Sequence, residues 1–307
     1  MYIKKLFYKL TNKDKHFYYK MNLKKAASIK QNVKLFKTEF EKKIINIHNN
    51  IANKKELSFL HYGHLGDVVN SLPIVKELSK THKCNFYIQA KKPLEPNARH
   101  YKYFGDYVFL TDSNVDMLLP LFMKQPYIHK VDKYTNQEID IDLNLIREMP
   151  IDFNIDSVRW YFQLTGVHSD LSVPYLFVVP HKVIKNKVVI IRNARRKNSF
   201  TNYKFLKKYE NLLFIGLNDE YEDLKKEVPN LEFYDCKDFL EMAEIIKASK
   251  FFIGNMSFQY IISEALKVPR LLEASPDYPV AFPVGPNAFD AYHQNHFEKF
   301  FGDLNIS

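Results

Sequence analysis

The stretch Phe59–Leu78, FLHYGHLGDVVNSLPIVKEL, decides how this chain is read. It joins a short apolar run, LSFLHY (57–62), to a helix-like run over 67–80 in which Val68, Leu72, Val75 and Leu78 share one face. Between the runs stand Gly63 and Gly66, in a chain with only 8 glycines in 307 residues, and then an acid, Asp67. A strand that ends in Gly-His-Leu-Gly-Asp and enters a helix puts Gly66 and Asp67 at a strand's carboxyl end, where open α/β sheets place ligands. Glycine there lets the backbone turn tightly and a ligand approach closely. The competing assignment for Asp67 is a helix N-cap, because aspartate satisfies the orphan amides of a first turn. The spacing Gly63-His64-Leu65-Gly66 is not the dinucleotide fingerprint, which needs a third glycine.

Outward from this stretch the chain alternates. CNFYIQ (84–89), YVFL (107–110) and IHKVD (128–132) are strand candidates, and SVRWYFQLTG (157–166) reads as a helix stopped by Gly166. VPYLFVVP (173–180) is an extended crossing segment framed by Pro174 and Pro180. A second alternation follows: strands at KVVIIRN (187–193), LLFIGL (212–217), LEFYD (231–235) and FFIGN (251–255), helices over 238–248 and about 257–267, and PRLLEA (269–274) as the last strand. Strands alternating with helices predict parallel sheets covered on both faces. The expected fold is α/β: two Rossmann-like domains, 56–180 and 181–307, facing across a cleft and preceded by a helical extension, 1–55.

Residues 1–55 hold 15 lysines, no arginine and three acids, a formal excess of +12. The other 252 residues carry 30 basic and 32 acidic side chains and are nearly neutral. Phe7, Tyr8, Phe17, Tyr18, Leu23, Ile29, Leu35 and Phe36 punctuate the lysines. Such a segment is either a set of helices packed on the body with lysines in solvent, or an interfacial element drawn to an anionic membrane surface. Nucleic acid is not an expected partner, since no motif supports it. Two distant cysteines, Cys84 and Cys236, form no disulfide framework and suit a reducing compartment. No apolar run approaches the roughly 18–20 residues that span a bilayer, and MYIKKLFYKL lacks a signal peptide's apolar core. The expected location is cytoplasmic, with the basic extension either in solvent or resting on the inner face of a membrane.

Two further motifs carry chemistry. In FFIGNMSFQYIISEALKVPRLLE (251–273) a strand ends in Gly254-Asn255-Met256-Ser257 and a helix begins. The free amides of that helix start suit a diphosphate, with Asn255, Ser257 and Gln259 adding hydrogen bonds; the alternative is a plain capped helix with Ser257 or Asn255 as cap. In IIRNARRKNSF (190–200) a strand delivers Arg192, Asn193, Arg195, Arg196, Lys197 and Asn198 into a loop. Guanidinium forks and a lysine suit phosphate oxygens, and the alternative is a solvated loop.

Taken together, GDVVNSLPIVKEL and ASKFFIGNMSFQYIISEALKVPRLLE resemble the two signature blocks of the lipopolysaccharide heptosyltransferase family, glycosyltransferase family 9, in order and spacing, over roughly 56–275. The resemblance implies a GT-B fold, with the acceptor on the N-terminal domain and a nucleotide sugar on the C-terminal one. It implies an inverting, metal-independent glycosyltransferase using no cofactor beyond its donor, a nucleotide-diphosphate sugar, with a glycan or lipid-linked acceptor. The family's proposed general base falls on Asp67. Its donor-phosphate cations match the Arg195–Lys197 region, and its Gly-Asn pair falls on Gly254 and Asn255. This chain departs where the family has Asp-Ser-Gly: Met256-Ser257-Phe258 stands there, and a following histidine is replaced near Tyr260, which leaves the donor open. In the tail, Tyr278, Asn287 and Tyr292 are candidates to close over the donor. Other readings are a non-catalytic nucleotide-sugar or glycan-binding module on the same fold, or a sugar-nucleotide-modifying Rossmann enzyme.

Asp140-Ile141-Asp142 mimics the metal-holding Asp-x-Asp of other glycosyltransferases but reads as a solvated turn. His61 with His64, and His293 with His296, lack a third ligand, so no metal site is read. There is no phosphate-binding P-loop and no Gly-x-Ser-x-Gly elbow.

Overall fold

The apolar runs of the sequence become the strands of two parallel sheets. The structure, a computed structural model, describes residues 2–94, 107–150, 155–277 and 281–306. The chain opens with helices α1 (Tyr2–Thr11) and α2 (Lys13–Leu35), a π turn at Phe36–Phe40, and α3 (Glu41–Asn53). The expected extension is therefore not one unit. No residue of α2 is buried, whereas Phe40 and, on α3, Ile47 sit in the core. Lys43 pairs with Glu148 at 3.2 Å, and Asn50 Nδ2 donates to the Asp140 carbonyl at 3.0 Å, so α3 belongs to the body.

Strand β1 (Glu56–His61) leads into α4 (Leu65–Asn70) and α5 (Leu72–Leu78). The helix expected over 67–80 starts two residues early and breaks at Ser71. Pro73 stands in the first turn of α5, where its missing N–H costs nothing, and it disfavours helical backbone just before it. Then come β2 (Lys83–Ile88), α6 (Asp112–Met123), β3 (Lys130–Lys133), β4 (Ile141–Asp142), a 3₁₀ turn at Leu143–Arg147 and α7 (Val158–Thr165). Gly166 ends α7 at φ 69°, the left-handed conformation a terminating glycine supplies. The run 107–110 is not a ladder strand; Val108 makes one isolated antiparallel bridge to Pro93. The described strands pair in parallel in the order β3-β2-β1-β4.

The second sheet contains β5 (Val188–Ile191), β6 (Leu212–Phe214), β7 (Glu232–Phe233), β8 (Phe251–Asn255), β9 (Arg270–Glu273) and β10 (Ala288–Ala291). Helices α8 (Asn218–Lys225), α9 (Phe239–Ala248), α10 (Phe258–Leu266) and α11 (Gln294–Ile306) complete it. The run at 269–274 is not the last strand: β10 lies parallel to β9, with Ala288 opposite Arg270. α11 then buries Phe297, Phe301 and Leu304. The order is β10-β9-β8-β5-β6-β7. Counted from β5, that is the order of doubly wound dinucleotide-binding sheets. β5 and β8 are buried along their whole length, as parallel strands covered on both faces must be.

The crossing segment is tied to both halves. Tyr175 and Leu176 donate backbone N–H groups to the Ala265 carbonyl at 3.0 and 3.2 Å, while Tyr127 Oη donates to the Tyr175 carbonyl at 2.5 Å. α4 packs on α10, and α6 on α9. Cys84 and Cys236 are unpaired, and burial pushes both thiols up to about 12.

Gly254 of β8 pairs with Ile191 of β5. A Cβ there would stand 2.7 Å from the Ile191 carbonyl oxygen, which is backbone and cannot move aside alone. Gly254→Ala is expected to lower stability by about 1–3 kcal/mol, the usual range for overpacking, measured by urea denaturation; an unchanged midpoint would show that the strands part freely.

Candidate active site

In open parallel sheets a crevice forms outside the carboxyl ends of adjacent strands whose connections leave toward opposite faces. In the first sheet those strands are β1 and β4. β1 runs into Gly63–Asp67, and β4 runs into the 3₁₀ turn that ends at Arg147. Arg147 Nη2 donates to Asp67 Oδ2 across the crevice, closing an ion pair. The guanidinium lies 4.8 Å over the Phe109 ring. A Cβ on Gly63 would overlap that guanidinium and stand 2.7 Å from His61 Cε1, so this glycine clears a path for Arg147. A Cβ on Gly66 would stand 3.4 Å from Ile261 of α10, an ordinary contact, so the two domains meet here without requiring a glycine.

Asp67 is the third residue of α4, after the N-cap position His64, and its side chain caps nothing. Its carbonyl accepts from Tyr161 Oη at 2.9 Å. Tyr161 Oη in turn lies 2.8 Å from His61 Nε2, and His61 Nδ1 accepts from the Gly63 amide at 2.9 Å. The Gly63 amide can only donate, so His61 carries its proton on Nε2 and passes it toward Tyr161. Burial, with Arg147 nearby, depresses His61 to about 3, so the ring is neutral. Burial pushes the Asp67 carboxyl up, but the Arg147 guanidinium outweighs it and holds the group below the usual carboxylate range. The side chain keeps 29% of its exposure.

In the second sheet the corresponding strands are β5 and β8. Asn255 bridges them: its Oδ1 accepts from the Asn193 amide at 2.8 Å and its Nδ2 donates to the Asn193 carbonyl at 2.7 Å. The Asn193 side chain accepts from the Arg195 amide at 3.0 Å, turning the loop. Arg196 Nη1 reaches Met256 Sδ at 3.4 Å. The loop at 192–197 and the turn at 254–257 are thus brought together, as the sequence motifs require. Ser257 is the N-cap of α10, accepting from the Tyr260 amide at 3.2 Å, and Gln259 is half-buried on its first turn.

One predicted phosphate ligand is corrected. Arg192 turns inward, donating through Nε and Nη2 to Glu273 at 3.2 and 3.0 Å, to the Thr201 carbonyl at 2.9 Å and to Glu227 at 3.3 Å. With 7% of its side chain exposed it is a buried structural cation, held there because Glu273 is wholly buried. Asn198, Thr201 and Tyr203 also donate to Glu273. Lys197 is exposed and paired with Asp223, while Glu220 accepts from the Ala194 amide at 3.1 Å, so α8 supplies two acids to this loop. Asp140 is corrected as well: it is buried, pairs with Lys54 and accepts from the Ser58 amide at 2.8 Å, pinning β1 rather than forming a solvated turn. Asp142 caps the 3₁₀ turn. Of the tail candidates, Tyr278 lies outside the described residues, Asn287 turns at φ 52° before β10, and the Tyr292 carbonyl accepts from Asn198 at 2.9 Å.

Sequence reasoning missed Arg147, Tyr161 and Glu273. Arginine scarcity was a usable signal, since 7 arginines stand among 45 basic residues. Where α4 meets α10, the void bordered by Asn70, Asp156, Tyr175, Ile261 and Glu264 is about 10 Å³, room for one water. Burial raises Asp156 there to about 6. Among the described residues no group of three or more His, Cys, Asp or Glu side chains is arranged to hold a metal.

Two parallel α/β domains, each turning its crevice toward the other, define a GT-B fold. No family model and no curated protein sequence matches the chain. Solved structures do. A family 9 glycosyl transferase from Veillonella parvula is similar at 11% identity and TM-score 0.50, over 82% of this chain and 89% of that one. The dodecameric iron-containing heptosyltransferase TibC, in complex with ADP-D-β-D-heptose, is similar at 16% identity and TM-score 0.50, over 78% of this chain and 63% of that one. The E. coli ADP-heptose lipopolysaccharide heptosyltransferase II is similar at 10% identity and TM-score 0.48, over 82% and 98%. The fold is the one shared by the Veillonella parvula and TibC glycosyltransferases.

Removing one partner of a buried ion pair strands the other charge. Glu273→Gln is expected to cost about 3 kcal/mol or more of stability, read from chemical denaturation; a wild-type midpoint would mean that Arg192 finds full compensation in Glu227.

Proposed function

We propose that this chain is a glycosyltransferase that moves a sugar from a nucleotide-diphosphate donor to a hydroxyl of a glycan or lipid-linked acceptor. The observation that carries the reading is the meeting of two switch-point crevices at the Gly66–Ile261 contact, a carboxylate on one side and cations with helix-start amides on the other. The first domain, from α3 through residue 180, holds the acceptor; residues 181–307 hold the donor. The acceptor hydroxyl gives its proton to Asp67 as its oxygen bonds to the anomeric carbon. The carbon–oxygen bond to the diphosphate breaks on the opposite face, so the configuration inverts. Arg195, Arg196 and Lys197 and the amides at the start of α10 meet the departing charge. Asn193, Gly254, Asn255 and Ser257 shape that cradle, and Gln259 lies beside it. With fixed cations and dipoles in place, the transfer is assigned as metal-independent.

One observation favours a second reading, a nucleotide-sugar-binding module: Asp67 is already paired with Arg147, which weakens it as a base. Thermal-shift screening with UDP, GDP, ADP and CMP sugars, followed by transfer assays with and without chelator, separates the two. Asp67→Asn is expected to lose about 10²–10⁴-fold in turnover, the range of general-base catalysis, with nucleotide affinity unchanged and chelator without effect. Wild-type turnover in that variant would leave Asp67 a structural residue.

The α1–α2 hairpin is assigned to an anionic membrane surface. Phe7, Leu10, Phe17, Tyr18, Met21, Ile29 and Val33 are exposed among its lysines, and apolar side chains interleaved with cations suit the headgroup boundary. No described helix is long and apolar enough to cross a membrane. The hairpin leaves the body beside the Lys43–Glu148 pair, one residue from Arg147. A membrane-bound hairpin therefore keeps the acceptor-side crevice near the inner face of the membrane. Deleting residues 1–35 is expected to abolish co-sedimentation with phosphatidylglycerol vesicles at low salt; undiminished binding would assign the lysines to solvent.

A further inference from the structure

We propose that Arg147 is the positioning residue for Asp67: it anchors Oδ2 so that Oδ1 alone is presented to the acceptor hydroxyl. The proposal rests on the transferase reading and assigns a role to a residue outside both signature motifs.

Four observations converge. First, the pairing is one-sided. Among the described residues the Asp67 carboxylate receives Arg147 on Oδ2 and no donor on Oδ1. Second, Arg147 stands on a fixed base. Its 3₁₀ turn is capped by Asp142, which accepts from the Asn144 amide at 2.9 Å, and Asn144 Oδ1 accepts from the Tyr62 amide at 2.9 Å. The segments leaving β4 and β1 are thereby tied together. Third, the guanidinium is held over Phe109 while its buried Nε has no partner. A buried donor left unsatisfied is uncommon and asks for an explanation; here the fork is aimed at Asp67 at the expense of its own hydrogen bonds. Fourth, Gly63 has no room for a Cβ because Arg147 passes over it. The backbone of Asp67 is fixed independently through Tyr161 and His61.

The chemistry suits arginine. Guanidinium stays protonated throughout the physiological range, so it cannot take the proton that leaves the acceptor. That proton goes to Oδ1, the acceptor oxygen bonds to the anomeric carbon, and the diphosphate leaves with the electron pair of the broken bond. Arg147 keeps Asp67 ionised before the step and lowers its basicity, and in exchange it fixes the attack direction. The charged and titratable groups facing Asp67 are Arg147, His61, His64 and Tyr161. Ile261, facing from α10, is uncharged.

The test uses the full chain and three variants, Arg147→Lys, Arg147→Gln and Gly63→Ala. A carboxyl whose depressing cation is removed titrates higher. Arg147→Gln is therefore expected to move the acid limb of the kcat/KM profile to higher pH and to reduce kcat about tenfold or more, within the range of general-base effects, at unchanged donor KM. Arg147→Lys restores the limb in part, and Gly63→Ala, which displaces the guanidinium, reproduces the Gln variant. Titration of ¹³C-labelled Asp67 carboxyl, assigned with Asp67→Asn, is expected to show the same upward movement without turnover. An unmoved limb and an unmoved carboxyl midpoint in Arg147→Gln overturn the proposal, as does equal loss in the Lys and Gln variants accompanied by a changed donor KM. If wild-type protein transfers sugar from no donor, the transferase reading falls, and the proposed role with it; the carboxyl titration distinguishes that result from a failure of the Arg147–Asp67 link.

Discussion

Each sheet of this protein has a place where its strand order reverses, and the structure is organised around bridging it. Connections leave the two adjacent strands toward opposite faces, so no helix covers their carboxyl ends. Polar backbone groups exposed there need partners. Side chains provide them. In the first sheet the Arg147–Asp67 pair and Asn144 tie the segment leaving β4 to the one leaving β1. In the second, Asn255 clasps both backbone groups of Asn193. On the proposed reading these bridges also line the crevice that takes the substrates, because a crevice that must be braced is the crevice the fold leaves open.

Charge is spent differently in the two halves of the sequence. Ten of the 15 lysines of residues 1–55 lie in the α1–α2 hairpin, where those whose side chains are described face outward. Three arginines instead serve where a lysine would not. Arg192 forks onto Glu273, Arg147 reaches Asp67, and Arg270 is wholly buried against Glu264, the Val268 carbonyl and the Val284 carbonyl. A planar group with five donors can satisfy several acceptors from one position, and it is more weakly hydrated than an ammonium. The cationic stretch at 192–197 illustrates the division: its arginine Arg192 is consumed by the core, while its lysine, Lys197, is exposed and paired with Asp223.

Much of the fold was legible from local pattern. Phe251–Asn255 is a strand with the boundaries its sequence suggests, and Val68, Leu72, Val75 and Leu78 are buried as their spacing requires. The misses have local causes that pattern does not weigh. Pro73 splits a helix whose apolar face is continuous. β10 contains an acid, Asp290, and its strand character comes from pairing with β9 rather than from its own residues. Of the candidate site, the association of the 192–197 loop with the 254–257 turn was legible from two motifs. The inward turn of Arg192 was not, because its partner Glu273 lies 81 residues away.

The sequence by itself determined the strand–helix alternation, the two halves, the basic start and the acid framed by glycines, because these depend on periodicity and composition within one segment. Only the tertiary structure decided what each glycine is for and which charges are free to act. Gly63 yields to an arginine from another strand end, and Gly254 to a neighbouring carbonyl. The reason is that excluded volume and charge pairing act between segments distant in sequence, and a residue's role there is set by the partner that the fold places against it.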